Sequence, residues 1–159
     1  MLLIYCMDIF SCSRKAGLWY FTILIEDVDF FSENKMKIKR HKKVLKILNF
    51  FKHNFGFRPP YLVLLDGTFC AACLAAKVNI RDQLPKYLGD VQLLTTSCCI
   101  TELEQLGPQM YGAMRVAKQF QVLKCGHSDP VMATQCVLSL IGEDNRRHLL
   151  LASQDTGLR

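Results

Sequence analysis

Asp66 closes the apolar run Tyr61-Leu62-Val63-Leu64-Leu65 and is followed at once by Gly67-Thr68-Phe69. A continuous apolar run bounded by Pro59-Pro60 and a glycine reads as a buried strand of a parallel sheet. A carboxylate at the carboxyl end of such a strand faces the crevice where open α/β sheets bind ligands, and it is a candidate for holding a cation. Asp155, after Leu149-Leu150-Leu151-Ala152, repeats the arrangement. A lone aspartate at such a place is commonly no more than a turn or cap residue; the repetition points to two strand ends aimed into one crevice. A second constellation is softer. Cys125-Gly126-His127 and Cys136 supply thiolate and imidazole donors, with Cys98 or Cys99 available as a fourth. Zinc accepts a tetrahedral set of such ligands because its filled d-shell imposes no geometry of its own. The same cysteines also read as small buried hydrophobes.

Other chemistry-bearing residues point less far. Cys70 and Cys73 form a Cys-x-x-Cys, but both lie inside the small apolar run Thr68 to Ala76, which predicts core cysteines rather than a redox pair at a helix start. His41, His53 and His148 have no partner pattern.

The elements that must position these residues alternate. Tyr61 to Asp66 predicts a strand and Thr68 to Ala76 a helix packed on it; Asp82 to Leu88 predicts a helix carrying Pro85. Val91 to Thr95 predicts a strand, Thr96 to Gly107 a helix stopped by Gly107-Pro108, and Tyr111 to Phe120 an amphipathic helix. Gln121 to Lys124, Ala133 to Ile141 and Leu149 to Ala152 then predict strand, helix and strand. Strands alternating with helices imply a parallel sheet with right-handed crossovers.

A chain of 159 residues suits one domain with a sizeable core. Its net charge of +6 is concentrated. Nine bases and no acid lie between Lys35 and Arg58, whereas residues 1–34 sum to −3 and residues 59–159 to zero. Residues 36–58 mix lysine and arginine with Val44, Leu45, Ile47, Leu48, Phe50 and Phe51 near helical spacing, predicting a basic amphipathic helix ending around Gly56. Such a segment attracts polyanions such as phosphate backbones; a solvated arm or a nuclear localisation signal has the same composition. The eight cysteines are irregularly spaced with no recognisable cleavable signal, which favours a reducing compartment over a disulfide framework. Residues 1–31 are apolar-rich, yet the longest such stretch, Ala16 to Ile25, is ten residues. A bilayer span needs about 20.

The stretch Asn54-Phe55-Gly56-Phe57-Arg58-Pro59-Pro60-Tyr61 through Leu64-Leu65-Asp66-Gly67-Thr68-Phe69-Cys70, followed by Gln83-Leu84-Pro85-Lys86-Tyr87-Leu88 and Glu102-Leu103-Glu104-Gln105-Leu106-Gly107, closely resembles the PIN-domain ribosomal-RNA processing factors of the small-subunit processome. The resemblance runs from Met36 to about Asp155. It implies an α/β, PIN-like three-layer domain at 59–159, with a central parallel sheet and a small zinc-binding insertion, preceded by the basic arm 36–58 and an N-terminal extension, 1–35, without counterpart in the family. The chain stops at Arg159, short of the final strand and lysine-rich tail that the resemblance implies, so the edge of the Asp155 strand is expected to be left bare.

Carried over by position, Asp66, Glu102 and Asp155 match acids with which PIN nucleases hold magnesium or manganese for phosphodiester hydrolysis. Gln135 stands where active relatives place a further acid, and a neutral amide cannot supply that charge. Cys98, Cys125, His127 and Cys136 fall on the Cys-Cys-His-Cys zinc motif of this branch. The expectation is an RNA-binding assembly factor of the nucleus and nucleolus, with Lys37, Lys39, Arg40, Lys42, Lys43 and Lys46 on the RNA backbone. Its expected partners are pre-rRNA, snoRNA and processome proteins, with neither a small-molecule substrate nor a membrane. The alternative is a divalent-metal-dependent endoribonuclease using the three acids.

Overall fold

Tyr61–Leu65 has no charged side chain to keep in water, and as strand β3 it lies inside the sheet with strands on both sides. The computed structural model describes residues 10–15, 18–23, 34–155 and 158, with backbone alone up to His41 and at Lys43. The elements in order are β1 (Phe10–Lys15), β2 (Leu18–Ile23), α1 (Asn34–Phe55), β3, α2 (Gly67–Ala75), α3 (Ile80–Leu88), β4 (Val91–Thr96) and α4 (Ser97–Gln105). A 3-10 turn at Pro108–Met110 leads into α5 (Tyr111–Ala117), β5 (Gln121–Leu123), α6 (Ala133–Ile141) and β6 (Leu149–Ala152).

The sheet order is β1-β2-β6-β3-β4-β5. β3 pairs in parallel with β4 (Val63↔Leu93) and with β6 (Val63↔Leu150), and β4 pairs in parallel with β5. The chain runs outward from β3 through β4 to β5, then returns to the other side of β3 as β6. That reversal makes the carboxyl ends of β3 and β6 a topological switch point, where α/β sheets form their crevice.

Alternation along the strands assigns the two faces. Val63, Leu65, Leu150 and Ala152 join the larger core, with Val44, Leu48 and Phe51 of α1, Phe69 of α2 and Leu103 of α4. Leu64, Leu149 and Leu151 point the other way, against Val137 and Ile141 of α6 and Leu158. The result is three layers. Val44, Leu48 and Phe51 fall one helical turn apart on α1, which explains how so basic a segment stays docked; the Phe51 ring also meets Phe57 at 5.4 Å, edge to face. Cys70 and Cys73 are buried in the core, where burial pushes the Cys73 thiol up to about 12 and raises that of Cys70 still further. Thiols held protonated in this way are poor redox nucleophiles.

Two expectations need correcting at the sheet edge. Residues 10–15 and 18–23, read from the sequence as unrelated to the domain, form an antiparallel hairpin whose second strand pairs with β6 through Thr22↔Leu151 and Ile23↔Ala152. The far edge of β6, expected to be bare, is therefore paired, and the sheet is mixed rather than wholly parallel because β1 runs against β2. The remainder of 1–33, and Thr156, Gly157 and Arg159, lie outside the described residues. Among the described residues no helix is long and apolar enough to cross a membrane.

Candidate metal centre and strand-end crevice

α4 begins directly at the end of β4. Thr96 caps it, its hydroxyl accepting the Cys99 N–H at 3.1 Å, and this fixes the rotation of the first turn. Two adjacent cysteines on a helix diverge by about 100°, and here they part company. Cys99 enters the core, where burial pushes its thiol up to about 12, while Cys98 turns toward the loop after β5. That loop brings Cys125 and His127, and the first turn of α6 brings Cys136.

The donor atoms of Cys98, Cys125, His127 and Cys136 all lie within 4.8 Å of one another. Cys98 Sγ is 3.7 Å from Cys125 Sγ and 3.5 Å from His127 Nδ1. The set can hold a metal ion. Two serines sit behind it. Ser139 Oγ lies 3.2 Å from His127 Nε2 and donates to the Cys136 carbonyl at 2.8 Å, so it is placed to accept the Nε2–H and leave the Nδ1 lone pair facing the thiols. Ser97 Oγ is 3.4 Å from Cys125 Sγ; its hydroxyl and the His127 backbone bring the Cys125 thiol down to about 6. Burial pushes Cys136 the opposite way, up to about 12.

The carboxylates occupy the same end of the sheet. Asp66, just beyond β3, is 5% exposed, and its Oδ2 accepts from Thr68 Oγ1 at 2.6 Å and from Ser153 Oγ at 2.9 Å. The Asp155 N–H donates to that same Ser153 Oγ at 3.0 Å. Ser153 thus ties the two aspartates to one lip of the crevice. Asp155 Oδ2 accepts from Thr134 Oγ1 at 3.0 Å, and Glu102 Oε2 accepts the Ala133 N–H at 2.6 Å, capping the start of α6. Among the described residues, the cysteine–histidine set is the group of three or more metal-ligating side chains whose donor atoms gather this closely; the three carboxylates do not. On α6 the residue meeting Asp155 is Thr134, whereas Gln135 is exposed.

Thr68, Thr134, Ser139 and Ser153 do not stand out in the sequence. A hydroxyl two residues from each aspartate, Thr68 after Asp66 and Ser153 before Asp155, is the signal that could have found two of them. The lysines of the arm are elsewhere. Lys42 and Lys46 are exposed on α1; Lys37, Lys39, Arg40 and Lys43 belong to the same helix, but their side chains lie outside the described residues.

Comparison with known proteins agrees with this architecture. Residues 86–159 match the Fcf1 family model. The chain is 31% identical over 128 residues to the "rRNA-processing protein utp23" of Schizosaccharomyces pombe, covering 78% of this chain and 49% of that protein. It is likewise 31% identical over 113 residues to the "rRNA-processing protein FCF1" of Saccharomyces cerevisiae, covering 69% of this chain and 58% of the relative. The chain thus spans roughly half the length of these curated relatives. The solved "Structure of the PIN domain endonuclease Utp24" superposes with a TM-score of 0.57 at 30% identity, covering 64% of this chain and 77% of that one. With parallel β3, β4, β5 and β6 flanked by six α-helices among the described residues, and with these relatives, the chain belongs to the PIN-domain family of rRNA-processing factors and resembles its Utp23 member.

Proposed function

We propose that the chain is an RNA-binding assembly factor for pre-rRNA processing and small-subunit biogenesis, acting in the nucleolus within the small-subunit processome. The observation that carries this reading is the run of nine bases and no acid between Lys35 and Arg58, eight of them on a helix that buries Val44, Leu48 and Phe51 and leaves Lys42, Lys46 and Lys52 exposed. The core face of α1 fixes the helix, so lysines on its outer face are held on one backbone element facing solvent. A helix already docked needs no ordering of its backbone when its lysines meet phosphate. The relatives are named rRNA-processing proteins, which supports pre-rRNA as the kind of RNA bound; snoRNA is the further RNA partner proposed.

In this reading zinc holds the β5–α6 loop against α4. Four protein donors close the site, as in structural rather than catalytic zinc centres, where a coordination position stays open. The PIN core then serves as the surface that docks processome proteins.

Electrophoretic mobility with structured rRNA and snoRNA fragments tests the proposal, comparing wild type with a variant neutralised at Lys37, Lys39, Arg40, Lys42 and Lys43. Retarded complexes that are lost in the variant support it; equal affinity of the two proteins would sink it.

Phosphodiester hydrolysis at Asp66, Glu102 and Asp155 is the second reading, favoured by the Utp24 structure being described as an endonuclease. In this chain the oxygens of those acids accept from Thr68, Ser153, Thr134 and the Ala133 N–H, and the α6 side chain that meets Asp155 is the neutral Thr134. That is a hydrogen-bonded scaffold that stabilises the sheet ends more readily than it binds a hard cation. Manganese-stimulated cleavage of RNA that is abolished by Asp66→Asn would establish the second reading in place of the first.

A further inference from the structure

We propose that Phe50 is a stacking platform for an unpaired base of a bound RNA strand, with the α1 stripe beside it holding that strand's phosphates; this deepens the RNA-binding reading above and rests on it. Lys42, Lys46, Asn49 and His53 succeed one another at i, i+4, i+7 and i+11, and all are exposed, so they form one line along the outer face of α1. Phe50 lies on the flank of that line, one helical turn from Lys46. It is 48% exposed, although its neighbour Phe51 is 3% exposed and packed in the core.

The ring is nonetheless held in place. It meets Phe51 edge to face at 5.7 Å with an interplanar angle of 86°, and Phe55 at 6.0 Å and 60°, so neither neighbour stacks parallel upon it. An apolar ring fixed beside the exposed Lys42 and Lys46, instead of being turned inward with Phe51, is the combination that single-strand binders use: cations track the backbone while an aromatic face takes a base of any sequence. The occupant follows from that chemistry. Bases in a duplex are already stacked on one another and offer only edges, whereas an unpaired base offers its π-face. The absence of any acid from Lys35 to Arg58 disfavours a basic protein segment as the occupant.

The test is fluorescence anisotropy of the full chain with a labelled oligouridylate of about 12 nucleotides and with an RNA duplex of the same length, across a salt series. The proteins compared are wild type, Phe50→Ala, Phe50→Tyr and Lys46→Gln. Phe50→Ala is expected to weaken single-strand binding by about 5- to 150-fold at an unchanged salt slope, and to leave duplex binding unaltered. Phe50→Tyr keeps a ring and is expected to stay within about 3-fold of wild type; it also guards against loss of fold. Lys46→Gln is expected to reduce the salt slope by about 0.7. Unchanged single-strand affinity in Phe50→Ala, or an equal loss on duplex, overturns the stacking role while a reduced slope in Lys46→Gln keeps the RNA-binding reading. A wild type that binds neither RNA overturns both.

Discussion

Cys98 and Cys99 are neighbours in sequence with opposite expected roles, which makes them a sharp probe of the metal centre. Zinc bonded to sulfur at about 2.3 Å and to imidazole nitrogen at about 2.0–2.1 Å in a tetrahedron sets sulfurs about 3.8 Å apart and sulfur from nitrogen about 3.6 Å. The 3.7 Å between Cys98 and Cys125 and the 3.5 Å from Cys98 to His127 Nδ1 match those edges. A four-ligand structural zinc is worth about 10–16 kcal/mol, or about 2.5–4 kcal/mol per ligand if shared evenly, so Cys98→Ser should weaken zinc binding by roughly 70- to 900-fold. Cys99→Ser should keep the metal and lose only about 1–3 kcal/mol of stability, from placing a hydroxyl among apolar neighbours. Competition with a chelator of known affinity, followed by metal analysis, reads both numbers, and X-ray absorption on wild type should show three sulfurs and one nitrogen. Zinc retained by Cys98→Ser at wild-type affinity, or lost from Cys99→Ser, would refute the cage.

Further outcomes follow from the same geometry. In chelator-treated protein, iodoacetamide should label Cys125 and spare Cys73 and Cys99, because the first thiol sits at about 6 and the other two at about 12; labelling should be fast at pH 7 to 8 and slow below pH 6, where the Cys125 thiolate takes up its proton. Equal labelling of all three, read by peptide mass spectrometry, would contradict their separation into loop and core. Gly67→Ala sets a Cβ 3.0 Å from Leu103 Cδ2 and 3.1 Å from its Cγ, in the buried junction of α2 and α4. Overpacking there should cost about 1–3 kcal/mol in urea unfolding, and a neutral result would show that Leu103 has room to move. Asp66→Asn should also destabilise by about 1–3 kcal/mol, since an amide satisfies the Thr68 and Ser153 hydroxyls less well than a carboxylate. RNA affinity should be unchanged in that variant; a loss in binding without a loss in stability would place RNA at the crevice.

Much of the central architecture was legible because β3 and β6 are uninterrupted apolar runs, and α3 and α4 begin at the capping residues Asn79 and Thr96 and are followed by Gly89 and Gly107. The pairing of β1 and β2 onto β6 was not, because their place depends on pairing between residues far apart in the chain, and nothing local in those segments encodes the partner. Choosing between Cys98 and Cys99 by spacing alone was impossible for a different reason. One residue of helix changes the facing by about 100°, so the answer required knowing which way the first turn of α4, capped by Thr96, faces relative to the core and the β5–α6 loop. The same offset puts Thr134, not Gln135, against Asp155. Ser139 escaped notice because a hydroxyl inside an apolar helix carries no pattern until His127 is brought to it by the β5–α6 loop.

The salt dependence of RNA binding bears most directly on the basic helix as the RNA-holding element. For wild type and for the variant neutralised at Lys37, Lys39, Arg40, Lys42 and Lys43, log K against log salt on a single-stranded pre-rRNA fragment should give lines whose slopes differ by up to about 3.5, from five contacts at about 0.7 each. Parallel lines of equal affinity would mean that α1 does not touch the RNA.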